Sequence, residues 1–217
     1  MNLDEYGVRA RDSQEGIPLI SLLDKELLLS LIRRYGEHFD TASLPVAGSL
    51  FVKRYAVLTA ACALDYYGLQ QQTTDWWSTA HFDASTFTLL VDEQAGPALE
   101  GCWKEKIFAQ HLTPMLEIIA QECKIAEKIL WENVAVRLNS VFRSDEHTCS
   151  AEQLEQQYQD LTSASCLWLG RANNQLQPYL HRVAQDGEPP KRQTCCRYYQ
   201  VSTSESLPYC IVCPLQK

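Results

Sequence analysis

Four of the nine cysteines in this 217-residue chain crowd into nineteen positions near its C-terminal end. They read Cys195-Cys196, thirteen intervening residues, then Cys210-x-x-Cys213 followed by Pro214. The other five, Cys62, Cys102, Cys123, Cys149 and Cys166, stand singly. The N-terminus, Met-Asn-Leu-Asp-Glu-Tyr, is acidic and polar where a secretory signal would be basic and then apolar. No apolar run approaches the roughly 20 residues of a membrane span, so a cytoplasmic protein is expected. In that compartment an odd set of cysteines is not a disulfide framework.

Four thiolates are soft ligands that select zinc or iron–sulfur clusters over hard cations. Two residues between Cys210 and Cys213 let both sulfurs turn toward one metal, and Pro214 stops the segment from continuing as a helix. The adjacent pair Cys195-Cys196 is poorly shaped to chelate one tetrahedral zinc. Neighbouring side chains point to opposite sides of a strand, or about 100° apart on a helix. A two-iron cluster offers a wider target, so the spacing favours [2Fe–2S]. Zinc, a redox-sensing vicinal pair and a tail without metal stay open on spacing alone. A thioredoxin-like dithiol would follow a strand and open a helix, which this site does not.

The remaining chain reads as α+β and mainly helical: a helical body with a small β element and an irregular cluster-binding C-terminal loop. The body is expected over residues 1–186 and the [2Fe–2S]-binding segment over 187–217. Ser21 and Asp24 resemble a capping box opening a helix to about Phe39, with Leu23, Leu27, Leu31 and Tyr35 on one face. Leu44-Pro45 and Gly48 read as a break, with Ser49 capping a second helix that ends at Gly68. His81 to Val91 reads as a short hairpin turning at Asp83-Ala84-Ser85. Thr113-Pro114 is expected to start one long helix to about Phe142. Ser150 and Gln153 form a second capping box, for a helix running to Gly170. A short helix is expected over about Asn174 to Ala184.

The chain carries a net charge of −8, which disfavours a general nucleic-acid binder. From Arg171 onward six Lys/Arg face three acids, against 13 and 24 before it, so the tail is mildly basic on an acidic body. That asymmetry suits an anionic ligand or an acidic redox partner.

Lys191-Arg192-x-x-Cys195-Cys196-x-Tyr198 with Cys210-x-x-Cys213-Pro214 is similar to the tail of FhuF-like ferric-siderophore reductases. The stretches Leu44–Ala56 and Trp131–Leu138 resemble blocks of the same family, so the likeness runs from about Ser21 to the end. The N-terminal blocks are also reminiscent of the C-terminal domain of aerobactin-type siderophore synthetases, which lack the four-cysteine tail. The interval between the cysteine pairs is longer here than in the family's common form. The resemblance implies an oxidoreductase that reduces a ferric siderophore, hydroxamate-type by expectation, in the cytoplasm. It implies Cys195, Cys196, Cys210 and Cys213 as [2Fe–2S] ligands and no catalytic residue beyond the cluster. Hard oxygen ligands hold Fe(III) tightly and Fe(II) weakly, so one electron converts an inert complex into a labile one. No Gly-rich dinucleotide fingerprint appears, so the electron is expected from a donor protein such as a ferredoxin or flavoprotein.

Lys53, Arg54, Trp131, Arg192 and Arg197 are candidate substrate residues, against plain readings as solvated basic edges or, for Trp131, core packing. Asn133 flanks the same helical stripe as Trp131. Trp76-Trp77 and Tyr198-Tyr199 are either an aromatic wall for a siderophore or ordinary rim residues. His81, His111 and His181 have no zinc-like partner spacing. The five single cysteines read as small core hydrophobes. Two other classes compete: a non-catalytic siderophore-binding or iron-sensing iron–sulfur protein, and a zinc-stapled interaction domain.

Overall fold

The computed structural model describes residues 3–11, 16–92, 96–144, 149–181, 189–201 and 209–216. The chain is mainly helical α+β, with five α-helices and a small mixed sheet among those residues. Helix α1 spans Lys25–Glu37, α2 Leu44–Ala56, α3 Thr113–Glu122, α4 Glu127–Phe142 and α5 Ala151–Thr162.

The strands β1 (Val8–Ala10), β2 (Ile17–Pro18), β3 (His81–Asp83) and β4 (Thr88–Val91) lie in the order β1-β4-β3-β2. The β3–β4 hairpin falls where the sequence places it, with Phe82 opposite Leu89. The Asp83 carboxylate organises its turn by accepting from the Ser85 amide at 2.7 Å and the Thr86 hydroxyl at 2.6 Å. β1 runs parallel to β4 and is too short to carry a readable alternation.

Several boundaries differ from the sequence reading. α1 is capped by Asp24, whose side chain accepts from the Leu27 amide, and Leu19–Leu23 before it forms a 3₁₀ turn. Leu44-Pro45 is the start of α2, since proline at the first turn loses no helical hydrogen bond. Ser49 is therefore a buried mid-helix residue, not a cap. α2 continues through π-helical turns at Val57–Ala61 and Leu64–Leu69. The resulting helix, Leu44–Leu69, is long and apolar enough to cross a membrane by length and composition, contrary to the sequence reading. It is a core helix here, with 83% of its most apolar window buried inside the protein.

The single helix expected over 113–142 is two. α3 ends at Cys123, the chain reverses at Lys124 with φ 52°, and α4 starts at Glu127. Thr113 does not cap α3, because a π-helical stretch, Glu105–Leu112, leads straight into it and the Thr113 hydroxyl donates to the Leu169 carbonyl at 2.7 Å. Ser150 caps α5 as read, accepting from the Gln153 amide, but α5 stops at Thr162 and Leu167–Leu169 is a separate 3₁₀ turn. The helix expected over 174–184 is a 3₁₀ turn at Gln177–Tyr179, and residues 182–184 lie outside the described residues.

One apolar core joins these elements, centred on α2, α3, α4 and the inner face of the sheet. Phe51, Tyr55, Phe82, Trp131 and Leu138 are all within 2% of full burial. α2 and α3 approach closely at Gly48, where a Cβ would stand 3.1 Å from the Cys123 sulfur. This scaffold presents one face of α2 and α4 to the C-terminal segment.

Candidate metal centre and its cationic flank

α4 carries two consecutive polar residues, Glu132 and Asn133, that are 2% and 0% exposed. Burying a carboxylate costs several kcal/mol unless it is paired and hydrogen-bonded. Glu132 meets both conditions through residues of the tail. It accepts from the Gln193 amide at 2.6 Å, the Thr194 amide at 2.8 Å and the Thr194 hydroxyl. The Arg192 guanidinium, 4% exposed, pairs with it at 3.4 Å. Three successive tail residues are thus gripped by one carboxylate on a rigid helix. Asn133 extends the grip through α2. Its Nδ2 donates to the Ser49 carbonyl at 2.9 Å and hydroxyl at 3.0 Å, and the Ser49 hydroxyl donates to the Cys196 carbonyl at 2.9 Å.

The loop so held delivers Cys195-Cys196. The second pair is joined to it by the Arg192 amide donating to the Val212 carbonyl at 2.9 Å, and by a tight turn in which the Cys213 amide donates to the Cys210 carbonyl. The Cys196 and Cys210 sulfurs are 3.6 Å apart. Two thiolates each ~2.3 Å from one tetrahedral ion stand about 3.7 Å apart, so this pair has the separation of co-ligands. Cys213 lies near enough for its charge to act on both Cys195 and Cys210. Cys196 and Cys213 are buried, and Cys195 and Cys210 are half-buried. Among the described residues no three His, Cys, Asp or Glu groups converge on one point as a single-ion cage would require.

Backbone amides point at Cys195 and Cys196, and the surroundings favour thiolate at Cys196. Arg197 takes a left-handed conformation, φ 64°, unusual for a residue with a side chain. That bend aims the Arg197 amide at the Cys195 sulfur, 3.3 Å away, and brings the Tyr198 amide onto Cys196. Successive amides pointing into one concavity form an anion nest. The Cys196 thiol is held below its ordinary range, chiefly by the hydrogen bond it shares with Cys210, with Lys53 and Arg192 adding positive charge. Cys210 is pushed up by the same hydrogen bond and by burial. Cys195 is raised by burial, which the Arg197 amide partly offsets. The donor set, all soft sulfur with amide donors around it, fits a thiolate-ligated iron–sulfur unit better than a hard cation.

The candidate substrate residues separate. Lys53, on α2, lies 5.2 Å from the centroid of the Tyr198 ring, within cation–π range. Arg54 donates to the Phe87 carbonyl and packs its guanidinium against Gly7, whose φ of 78° and missing Cβ make the contact feasible. Arg197 is half-buried at the cysteine loop. Trp131 is fully enclosed in the core, which removes it from any substrate surface. Arg192 is likewise buried against Glu132 and acts on the loop rather than on a ligand. Trp76 is a core residue stacked on Tyr67. His111 is buried against the Tyr55 hydroxyl at 2.7 Å, and His81 bonds Arg11. Of the single cysteines, Cys62, Cys123 and Cys166 are buried, Cys149 is half-buried and Cys102 is exposed. Glu132, Ser49 and Arg137 are the residues the sequence did not single out. A charged residue within the otherwise apolar stripe of α4 was the available signal for Glu132.

The model of the family described as ferric iron reductase FhuF-like transporter matches residues 78–167. That stretch, less than half of the chain, is similar to the family. No curated protein matches the chain. The FhuF-like region contains the β3–β4 hairpin, α3, α4 and α5, and therefore Glu132 and Asn133. The likeness supports a ferric-reductase type of role. The four cysteines, Lys53 and Ser49 lie outside the matched span; Glu132 joins it to the cysteine tail, Asn133 to Ser49 and Arg137 to the Lys53 carbonyl.

Proposed function

We propose that the chain is a cytoplasmic ferric-siderophore reductase whose Cys195, Cys196, Cys210 and Cys213 hold a [2Fe–2S] cluster. The observation that carries this reading is the pinning of a four-thiol loop, rich in amide donors, onto the FhuF-like helix α4 by Glu132. When bound, such a cluster supplies single electrons at low potential. The protein's part is to hold the thiolates and to fix their surroundings. Amide donation at Cys195 and Cys196, together with the nearby cations, stabilises negative charge on sulfur and so tunes the potential. The body (1–186) supplies the helices and the segment 187–217 the ligands. Its described part leans on α2 and α4 rather than standing as a separate unit.

The ferric siderophore is the substrate, and one electron delivered to its Fe(III) loosens the oxygen ligands and frees Fe(II). A donor protein of the ferredoxin or flavoprotein kind replaces the electron. Anaerobic purification followed by visible and EPR spectroscopy, with iron, sulfide and zinc content, tests the reading. Two irons, two sulfides and a rhombic signal after reduction are expected, followed by release of Fe(II) from a ferric chelate. A colourless protein with one zinc overturns it. A cluster that never reduces a ferric chelate leaves an iron-sensing or siderophore-binding protein instead.

A further inference from the structure

Next to the first cysteine pair, α1, α2, α4 and Tyr198 border an open cavity of about 330 Å³. Its wall carries Lys53, Arg54 and Arg137, with the rings of Tyr35, Phe39 and Tyr198 between them. All three cations are half-buried, and among the described residues no carboxylate lines the cavity. Among the described residues none of the three forms an ion pair. Their polar contacts are Arg54 to the Phe87 carbonyl, Arg137 to the Lys53 carbonyl and Lys53 to the Tyr198 ring. Burial holds Lys53 and Arg137 below their ordinary ranges, against the partial offset of the Cys196 thiolate that acts on both. The cysteine loop borders the cavity, because Tyr198 forms one wall while its amide bonds Cys196.

We propose that this cavity seats the substrate of the reductase described above, and that it selects ferric chelates of net negative charge that bear carboxylates. The inference rests on the reductase reading. Its ligand class differs from the hydroxamate expected from sequence. Three hydroxamates neutralise Fe(III) and bring no negative charge to Lys53, Arg54 and Arg137, whereas an α-hydroxycarboxylate chelate retains negative charge to meet them. The tyrosine and phenylalanine faces supply apolar contact for the organic scaffold, and the volume lies at the small end of ligand sites.

The test is calorimetric binding of gallium(III) chelates to the purified holoprotein, since gallium mimics the charge of Fe(III) and is not reduced. Gallium citrate is expected to bind at least about tenfold tighter than the neutral gallium complex of a trihydroxamate, a gap of roughly one charge-assisted hydrogen bond. The gap should shrink as salt is raised from about 20 to about 300 mM. Lys53→Met and Arg137→Gln should each weaken citrate binding by about tenfold and leave the neutral chelate unchanged. The salt titration needs no variant and so is independent of folding defects. Equal binding of both chelates, or citrate binding insensitive to salt, overturns the inference. Cluster content and ferric turnover are read separately. Charge-selective gallium binding in a protein without a cluster upholds this site and sinks the reductase reading. Turnover without charge selectivity sinks only this site.

Discussion

Glu132→Gln isolates the contact on which the cysteine loop depends. The substitution keeps the volume of the side chain and removes one charge. In the native protein the carboxylate accepts from two amides and one hydroxyl and faces a guanidinium that is 1% exposed at its side chain. A glutamine retains one acceptor oxygen, and its amide group turns a donor toward donors. Arg192 is left as a buried cation, and its Nη1 already lacks a partner among the described residues. Breaking a buried pair by removing one member costs about 3–5 kcal/mol. The cost falls on the loop rather than on the whole fold, because α4 is anchored independently by Leu130, Val134, Leu138 and Val141 in the core.

Local opening of residues 190–196 should therefore rise by about 160- to 5,000-fold, at 1.36 kcal/mol per factor of ten. Hydrogen exchange at the Gln193 and Thr194 amides reads that opening directly, in protein with or without metal. Thiol labelling of the buried Cys196 provides a second readout. Adding Arg192→Met to Glu132→Gln should recover part of the loss, since the unpaired cation is removed while the two amides still lack their carboxylate. A change in exchange of less than about tenfold, with Cys196 labelling unaltered, would refute the claim that Glu132 holds the loop.

Three further outcomes follow from the packing and electrostatics. Ser49→Ala removes the donor to the Cys196 carbonyl and an acceptor of Asn133, at a cost of about 1–3 kcal/mol, so thermal unfolding should shift down by several degrees. Gly48→Val drives side-chain atoms into Cys123 and Ile119, which stand 3.1 and 3.3 Å from an added Cβ, and should cost about 1–3 kcal/mol in urea unfolding. Burial lowers the His111 pKa to about 3, so unfolding takes up a proton. Stability from this group is complete above the unfolded value near 6.5 and falls by about 1.4 kcal/mol per unit as pH drops toward 3. His111→Gln, which keeps a partner for the Tyr55 hydroxyl, should flatten the loss between pH 7 and 5 by about 2 kcal/mol.

The parts of this fold that were legible from sequence are those set by local chemistry. The hairpin at 81–91, the Ser150 cap and the helical character of the body follow from turn residues, capping pairs and periodicity over a few residues. The misplaced boundaries have a common cause. Thr113-Pro114 and Ser49 have the composition of helix starts, but each lies inside a longer helical run whose preceding turn already satisfies their amides. π-Helical turns add to this, since they shift the apolar face without breaking the helix. Lys124, by contrast, ends α3 in a left-handed conformation that lysine composition does not announce.

The cysteine tail divides along the same line. Ligand type and spacing are local and point to a sulfur-bound metal. What orients the ligands is long-range: Glu132 reaches Thr194 across 62 positions and Ser49 reaches Cys196 across 147. Lys53 and Arg137, 84 residues apart, converge only because α2 and α4 pack together. A helix read by itself assigns such residues to a solvated face, as it does Lys53 and Arg54. Charge inside a packed helix–helix seam is instead costly and persists where another group compensates it. At Glu132 the compensating groups are Arg192 and the tail amides; at Lys53 and Arg137 the nearby anion is the Cys196 thiolate, and among the described residues no carboxylate lines the cleft they share with Arg54.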